Sequence, residues 1–145
     1  MNRPKITVHT DVILDYLLHH GEQPSLLRIV MMKFFCYTTV FNAIELFSLA
    51  RSASEARAVA SSMNAMKILG LNAKHAERYG EWFAQQKRPS SMNLLIAGIC
   101  LESKLPLLTG TPEVFGGARG LIVVKSAFIR DRSSAAEILS HARVM

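Results

Sequence analysis

Short apolar runs alternate along this chain with longer stretches of helical periodicity. Residues 5–9 carry β-branched side chains in alternation, and residues 34–40 and 121–124 are further short runs typical of strands. Between these runs apolar residues recur at helical spacing, and Thr10 or Asp11 is placed to cap the first helix. Because strands that alternate with helices usually pair in parallel, the pattern predicts an α/β fold with a mainly parallel sheet.

A helix, an interior strand and a polar turn in the second half of the chain form the clearest part of this pattern. Ser90 or Ser91 is predicted to cap the helix, which holds Asn93 in its first turn and is apolar around most of its circumference. Residues 105–109 follow as a buried strand, and residues 109–113 form the turn. In open α/β sheets function lies outside the carboxyl ends of the strands, so this turn and the start of the helix are candidate site positions.

Two helices are predicted between these regions. The pattern from Ser52 to Glu55 is that of a capping box, and it opens a helix that we expect to continue to Gly70. Asn72 is placed to cap the next helix, which runs to about Gln86. Consecutive helices of this kind predict a helical arm.

Composition places the chain among ordinary globular proteins. A length of 145 residues suits one domain, and a hydrophobic content of 50% excludes a disordered chain. No apolar run approaches the roughly 18 residues of a membrane span, and we expect a cytoplasmic protein that does not enter a membrane. Cys36 and Cys100 lie far apart in apolar segments, which favours buried reduced thiols over a disulfide or a zinc site.

The chain is basic, with a formal net charge of +6 and an isoelectric point near 9.7. Such a charge permits contacts with nucleic-acid phosphates. The basic residues, among them Lys87 and Arg88, are scattered and form no arginine-rich run. A solvated basic surface and a phosphate-binding surface are therefore both open.

Four short segments occur in a fixed order: Val8-His9-Thr10-Asp11, then Thr39 with Asn42, Glu45-Leu46 and Ala50, then Asn93 with Leu95-Ile96-Ala97, then Leu107-Leu108-Thr109-Gly110-Thr111 with Phe115. They resemble the four motifs of the PIN domain family, small metal-dependent ribonucleases that include the VapC-type toxins of toxin–antitoxin pairs. The resemblance covers about residues 5–125. It implies a three-layer α/β/α fold with a central, mainly parallel sheet and a helical arm. Residues 1–125 would form the PIN-like domain and residues 126–145 a helical C-terminal extension.

The resemblance also implies a site. Glu45 and Asp11 are the implied catalytic residues, whereas His9 and Asn93 stand where the family has Asp, and Thr111 stands where it has Asp or Asn. The family's cofactor is Mg²⁺ or Mn²⁺, and Glu45, Asp11 and His9 are the candidate ligands; imidazole would suit Mn²⁺, Fe²⁺ or Zn²⁺. Two alternatives stay open from the residues themselves, namely that Asp11 caps the first helix and that Glu45 forms a salt bridge.

Three functions are consistent with the sequence. The first is a PIN-type metal-dependent endoribonuclease whose eroded acidic site implies weak or absent activity. The second is a non-catalytic PIN domain that binds RNA or an antitoxin-like protein. The third is a small α/β regulatory domain related by fold alone. The resemblance further implies a homodimer, with its contacts through the helical arm.

Overall fold

The computed structural model describes residues 3–86 and 92–145, and the chain in these ranges alternates between strands and helices. The elements are β1 (Lys5–Val8), α1 (Thr10–Leu18), α2 (Leu26–Lys33), β2 (Phe35–Thr39), α3 (Val40–Leu49), α4 (Ala53–Asn64), β3 (Lys67–Leu69), α5 (Ala76–Ala84), α6 (Met92–Ser103), β4 (Leu107–Thr109), β5 (Ile122–Lys125), α7 (Ala135–Leu139) and β6 (Arg143–Val144). Short 3-10 turns precede α5 and follow β4 and β5. The predicted caps Ser90 and Ser91 lie outside the described residues.

One six-stranded sheet organises the molecule. Its order is β3-β2-β1-β4-β5-β6, with five parallel strands and an antiparallel β6 at the edge. The chain moves outward from β1 to β3 and then crosses back to β4, which lies on the other side of β1. The direction of winding therefore reverses between β1 and β4, where a ligand crevice is expected. The predicted mainly parallel sheet is confirmed.

Side chains from the two faces of the sheet enter separate apolar clusters. In β4, Leu108 packs into the cluster that includes residues of α1 to α4 and α7, whereas Leu107 packs with Ile96 and Cys100 of α6. Adjacent strand residues point to opposite faces, so helices cover both sides of the sheet. The predicted three-layer α/β/α arrangement is confirmed.

The third strand departs from the predicted pattern. The helix expected over residues 52–70 is correct only as far as Asn64, because residues Lys67–Leu69 pair in parallel with β2. Val59, Met63 and Met66 are buried in the same cluster. Their helical spacing therefore predicts a helix that continues past Asn64, where α4 in fact ends. Edge pairing with β2 supplies backbone hydrogen bonds that a helix would otherwise make. The two helices of the predicted arm are thus separated by a strand.

The last twenty residues return to the sheet. Ser134 caps α7 by accepting a hydrogen bond from the Glu137 amide. Ile138 of this helix is fully buried in the core. The Met145 amide then donates to the carbonyl of Leu121 at 2.8 Å, which seats β6 beside β5. Within the described ranges, every helix is too short or too polar to cross a membrane.

Candidate functional site

The first site segment follows β1 at the switch point of the sheet. The His9 amide donates to the carbonyl of Leu108 at 3.0 Å, and the His9 carbonyl accepts the first helical bond of α1, from Val12. His9 is therefore the N-cap residue, although its side chain makes no capping hydrogen bond. This geometry places residues 9–11 directly beside the turn that follows β4.

Asp11 does not cap α1, and the predicted capping role is wrong for both Asp11 and Thr10. Because Asp11 lies in the first turn, its carboxylate projects across the switch point to the β4 turn. Its Oδ2 accepts hydrogen bonds from the Gly110 amide at 2.7 Å and from Thr109 Oγ1 at 3.3 Å. A Cβ at Gly110 would approach this oxygen to 3.0 Å, so a small residue keeps the contact close. The carboxylate thus joins the two site loops.

Asn42 lies at the centre of the site, although the sequence only places it in the second motif and assigns it no role. Its Oδ1 accepts from the Thr39 amide at 3.2 Å, which fixes the orientation of the side-chain amide. Its Nδ2 therefore donates to His9 Nδ1 at 3.1 Å and to Thr10 Oγ1 at 2.9 Å. The Thr10 hydroxyl in turn donates to Glu45 Oε1 at 2.9 Å. We call Thr39, Asn42, His9, Thr10 and Glu45 the amide network.

The amide network decides how His9 holds its proton. Nδ1 accepts from Asn42, so the neutral ring carries its proton on Nε2. Burial lowers the pKa of His9, and the nearby carboxylates of Asp11 and Glu45 oppose this shift. The ring also packs edge-on against Phe115, with centroids 5.0 Å apart. His9 is consequently a buried, neutral, hydrogen-bonded ring.

Glu45 is half-buried on α3, as its apolar neighbours indicate. In the described part of the chain it makes no salt bridge, so its partner is the Thr10 hydroxyl and the alternative of a Lys or Arg partner finds no support. The carboxylate is therefore not neutralised by a neighbouring basic side chain in this part of the chain.

The two remaining site positions differ in their surroundings. Thr111 is exposed, and its hydroxyl lies 3.3 Å from that of Thr109, in contact with the Asp11 side of the site. Asn93 is the second residue of α6 and is half-buried. Helix α6 packs against α3, but among the described residues the Asn93 side chain makes no hydrogen bond to the amide network.

The predicted metal ligands do not form a three-residue cluster. Within residues 3–86 and 92–145, no group of three or more His, Cys, Asp or Glu residues is arranged to hold a metal ion. His9 offers no free lone pair, because Nδ1 accepts from Asn42 and Nε2 carries the proton. Asp11 Oδ1 is buried without a hydrogen-bond partner in this part of the chain and is the one feature that favours a cation. As arranged here, the donor set of His9, Asp11 and Glu45 does not fit a metal centre.

A parallel sheet of this strand order, with its polar residues collected at the carboxyl ends of β1 and β4, defines a PIN-like fold, and solved structures confirm it. The VapBC2 complex of Rickettsia felis bound to a promoter DNA fragment matches with a TM-score of 0.67 and 16% identity, over 83% of this chain and 98% of that chain. FitAB bound to an IR36 DNA fragment matches with a TM-score of 0.64 and 14% identity, over 88% and 99%. A toxin–antitoxin complex from Klebsiella pneumoniae matches with a TM-score of 0.61 and 15% identity, over 83% of this chain and 97% of that chain.

At these identities the likeness is one of fold. Neither a protein-family model nor a curated protein matches the sequence. The PIN-like fold implied by the four motifs is confirmed, and one of the solved structures that share it is a toxin–antitoxin complex.

Proposed function

We propose that this chain is the toxin-type subunit of a toxin–antitoxin-like pair, which binds an antitoxin-like protein and has weak or absent metal-dependent ribonuclease activity. The fold shared with toxin–antitoxin complexes supports the kind of partner. The amide network supports the loss of activity, and it is the observation on which the proposal rests.

The chemistry of the network explains why cleavage would be lost. Mg²⁺ binds carboxylate oxygens and sheds water reluctantly for neutral ligands. His9 and Asn93 supply neutral groups at two positions where the family resemblance implies Asp, and Thr111 does so where it implies Asp or Asn. Asn42 then occupies the Nδ1 lone pair of His9 with a hydrogen bond, and the Thr10 hydroxyl donates to Oε1 of Glu45. Asp11 and Glu45 are the two carboxylates left at the five positions, which makes a weak site for Mg²⁺.

Calorimetric titration of Mg²⁺ and Mn²⁺ into metal-free protein tests the loss of activity, together with cleavage of single-stranded RNA in either metal. The wild type is expected to give no binding heat and no cleavage. A triple variant, His9→Asp with Asn93→Asp and Thr111→Asp, should gain metal binding, and adding Glu45→Gln to it should remove that gain. Micromolar Mn²⁺ binding by the wild type that disappears in Glu45→Gln would overturn the proposal.

That contrary outcome defines the second candidate, an endoribonuclease with Mn²⁺ held by Glu45, Asp11 and His9. The unpartnered Asp11 Oδ1 favours it. This candidate requires Asn42 to release His9 Nδ1, since the ring has no other free lone pair in the neutral state. An Asn42→Ala variant should then bind Mn²⁺ more tightly than the wild type, whereas the main proposal expects no binding by either protein.

We further propose a homodimer through the outer face of α3. Ile44 and Phe47 are neighbours on this face and are 48% and 43% exposed, an apolar surface next to Glu45. Light scattering at micromolar concentration should give twice the chain mass of 16.1 kDa, and Ile44→Ser with Phe47→Ser should give a monomer. Leu18→Ser, at a residue 64% exposed on α1, is the matched control and should stay dimeric. A monomeric wild type would remove the homodimer.

A further inference from the structure

Basic residues mark the amino end of every parallel strand. In the spatial order of the sheet, Lys67 opens β3, Lys33 precedes β2, Arg3 and Lys5 lead into β1, Lys104 precedes β4 and Arg119 precedes β5. We call these six residues the basic edge. Neighbouring strands lie about 4.8 Å apart, so the row extends roughly 20 Å across five strands. The candidate site with Asp11 and Glu45 lies at the opposite, carboxyl end of the sheet.

A wide groove opens on one half of the basic edge. It is lined by Arg3, Lys5 and Lys67 together with Phe35, and its described wall contains no Asp or Glu. Phe35 is 52% exposed although it is an aromatic residue. The groove volume of about 1050 Å³ reaches the upper limit of about 300–1000 Å³ usual for pockets that enclose small molecules. A groove of this size suits an extended polymer that crosses the surface.

Lys104 adds an independent observation on the other half of the edge. It has a φ of +56° and is the non-glycine residue with positive φ in the described chain. It ends α6 in the left-handed conformation, and the next amide, of Leu105, donates back to the carbonyl of Cys100. Glycine is the residue favoured at this position, because a side chain there is sterically strained. A lysine held at this cost is a candidate for function.

The charges around the edge leave most of its cations free to meet a ligand. Five of the six side chains are exposed, and Lys33 is half-buried with its ammonium on the carbonyls of Arg130 and Asp131. The nearest carboxylate along the chain from Lys104 is Glu102, which is already paired with Arg78 at 2.8 Å. A polyanion at this edge would therefore meet a row of positive charge.

We propose that the basic edge binds single-stranded RNA, with the phosphates on Lys5, Lys67 and Lys104 and a base on Phe35. A cationic groove with an exposed aromatic ring is the arrangement by which proteins hold single strands without regard to sequence. An acidic polypeptide would use the cations but gain little from the ring, so Phe35 favours the nucleic acid. The basic edge lies at the opposite end of the sheet from the candidate site, and it needs no metal ion to bind RNA.

The test is fluorescence anisotropy with a labelled mixed-sequence RNA of about 12 nucleotides, within the usual site size for single strands, in buffer with EDTA at several salt concentrations. Lys5→Ala with Lys67→Ala should weaken binding at least tenfold and lower the salt slope by about two. Arg51→Ala with Lys125→Ala removes the same charge away from the edge and is the matched control, with little expected change.

Two further variants separate binding from folding and RNA from other polyanions. Lys104→Gly should raise the thermal unfolding midpoint, because glycine relieves the strain, and yet weaken RNA binding. Phe35→Ser should weaken RNA binding without changing the binding of polyglutamate. Equal losses in the control and edge variants would overturn the proposal, as would no binding by the wild type. Polyglutamate binding as tight as RNA binding, with no effect of Phe35→Ser, would assign the edge to an acidic protein instead. These readings use no metal and are independent of the cleavage experiments.

Discussion

Replacing Asn42 with alanine should have the largest effect of any single truncation in the site. Asn42 is fully buried, and its side chain makes hydrogen bonds with the Thr39 amide, the Thr39 hydroxyl, His9 Nδ1 and the Thr10 hydroxyl, at 3.2, 2.7, 3.1 and 2.9 Å. Alanine leaves all of these buried groups without this partner. At about 1 kcal/mol for each lost bond, and with the hydroxyls free to rotate, we expect a loss of about 3–4 kcal/mol.

Urea unfolding followed by circular dichroism measures this loss. The matched control is Asn64→Ala, at the exposed last residue of α4, which should change the free energy of unfolding by less than about 0.5 kcal/mol. An unchanged slope with denaturant would show that the denatured states are comparable. A loss below about 1 kcal/mol for Asn42→Ala would refute the reasoning, because that is the average cost of any point substitution.

The Asn42→Asp variant tests the direction of the same hydrogen bonds. It keeps an oxygen for the Thr39 amide but replaces the donor to His9 Nδ1 with a second acceptor. The ring can then restore the bond by carrying a proton on Nδ1, either as the other neutral tautomer or as the imidazolium. Because the added carboxylate favours the imidazolium, the pKa of His9 should rise, whereas burial lowers it in the wild type. Imidazole titration by NMR measures the shift. An unchanged His9 pKa would contradict the direct contact between residue 42 and the His9 ring.

Three other measurements test the packing and the titrating groups. Gly98→Ala should lower the free energy of unfolding in urea by about 1–3 kcal/mol, because its methyl would overlap the Tyr79 ring. Gly80→Ala, whose methyl would meet open space on a helix, should raise it by about 0.5–1 kcal/mol. Equal effects of the two substitutions would contradict this packing. Burial raises the pKa of both cysteine thiols to about 12, so neither should react with a disulfide reagent at neutral pH until urea is added, and rapid reaction of the native protein would refute that burial. Because the folded pKa of His9 lies below its ordinary value of 6.5, the unfolded state binds the proton first, and stability should be complete above about pH 6.5 and fall below it. A urea midpoint unchanged from about pH 7.5 to 5.5 would contradict that shift.

Much of the fold could be predicted because its signals are local. The strands β1, β2 and β5 are short apolar runs with β-branched residues, and the pattern from Ser52 to Glu55 marks the start of α4. Strand β3 was not predicted, since it has three residues and two of them are exposed. Its pairing with β2 depends on a tertiary neighbour, which overrides the helical spacing of the preceding residues.

The candidate site likewise has residues that local sequence patterns indicate and contacts that only the folded chain creates. His9 and Glu45 occupy positions that the motifs mark, and the structure joins them through Thr10 and Asn42. The Thr39-to-Asn42 capping box is visible in the sequence, but its contact with His9 crosses from α3 to α1. A contact between residues of two different helices leaves no pattern in the sequence around either residue. The sequence could therefore have suggested Asn42 as a cap, but not as the partner of His9.

The error at Asp11 has the same physical origin and explains how the site holds together. A carboxylate in the first turn of a helix has a favourable local role, so the sequence alone assigns it to the helix start. In the folded chain its partner is the Gly110 amide, 99 residues away. Asp11 thus joins α1 to the β4 turn, while Asn42 joins α1 to α3. At the carboxyl end of the sheet, hydrogen bonds between protein groups thus hold α1, α3 and the β4 turn together. The family resemblance implies further carboxylates at this place, and those would need a cation to offset their repulsion.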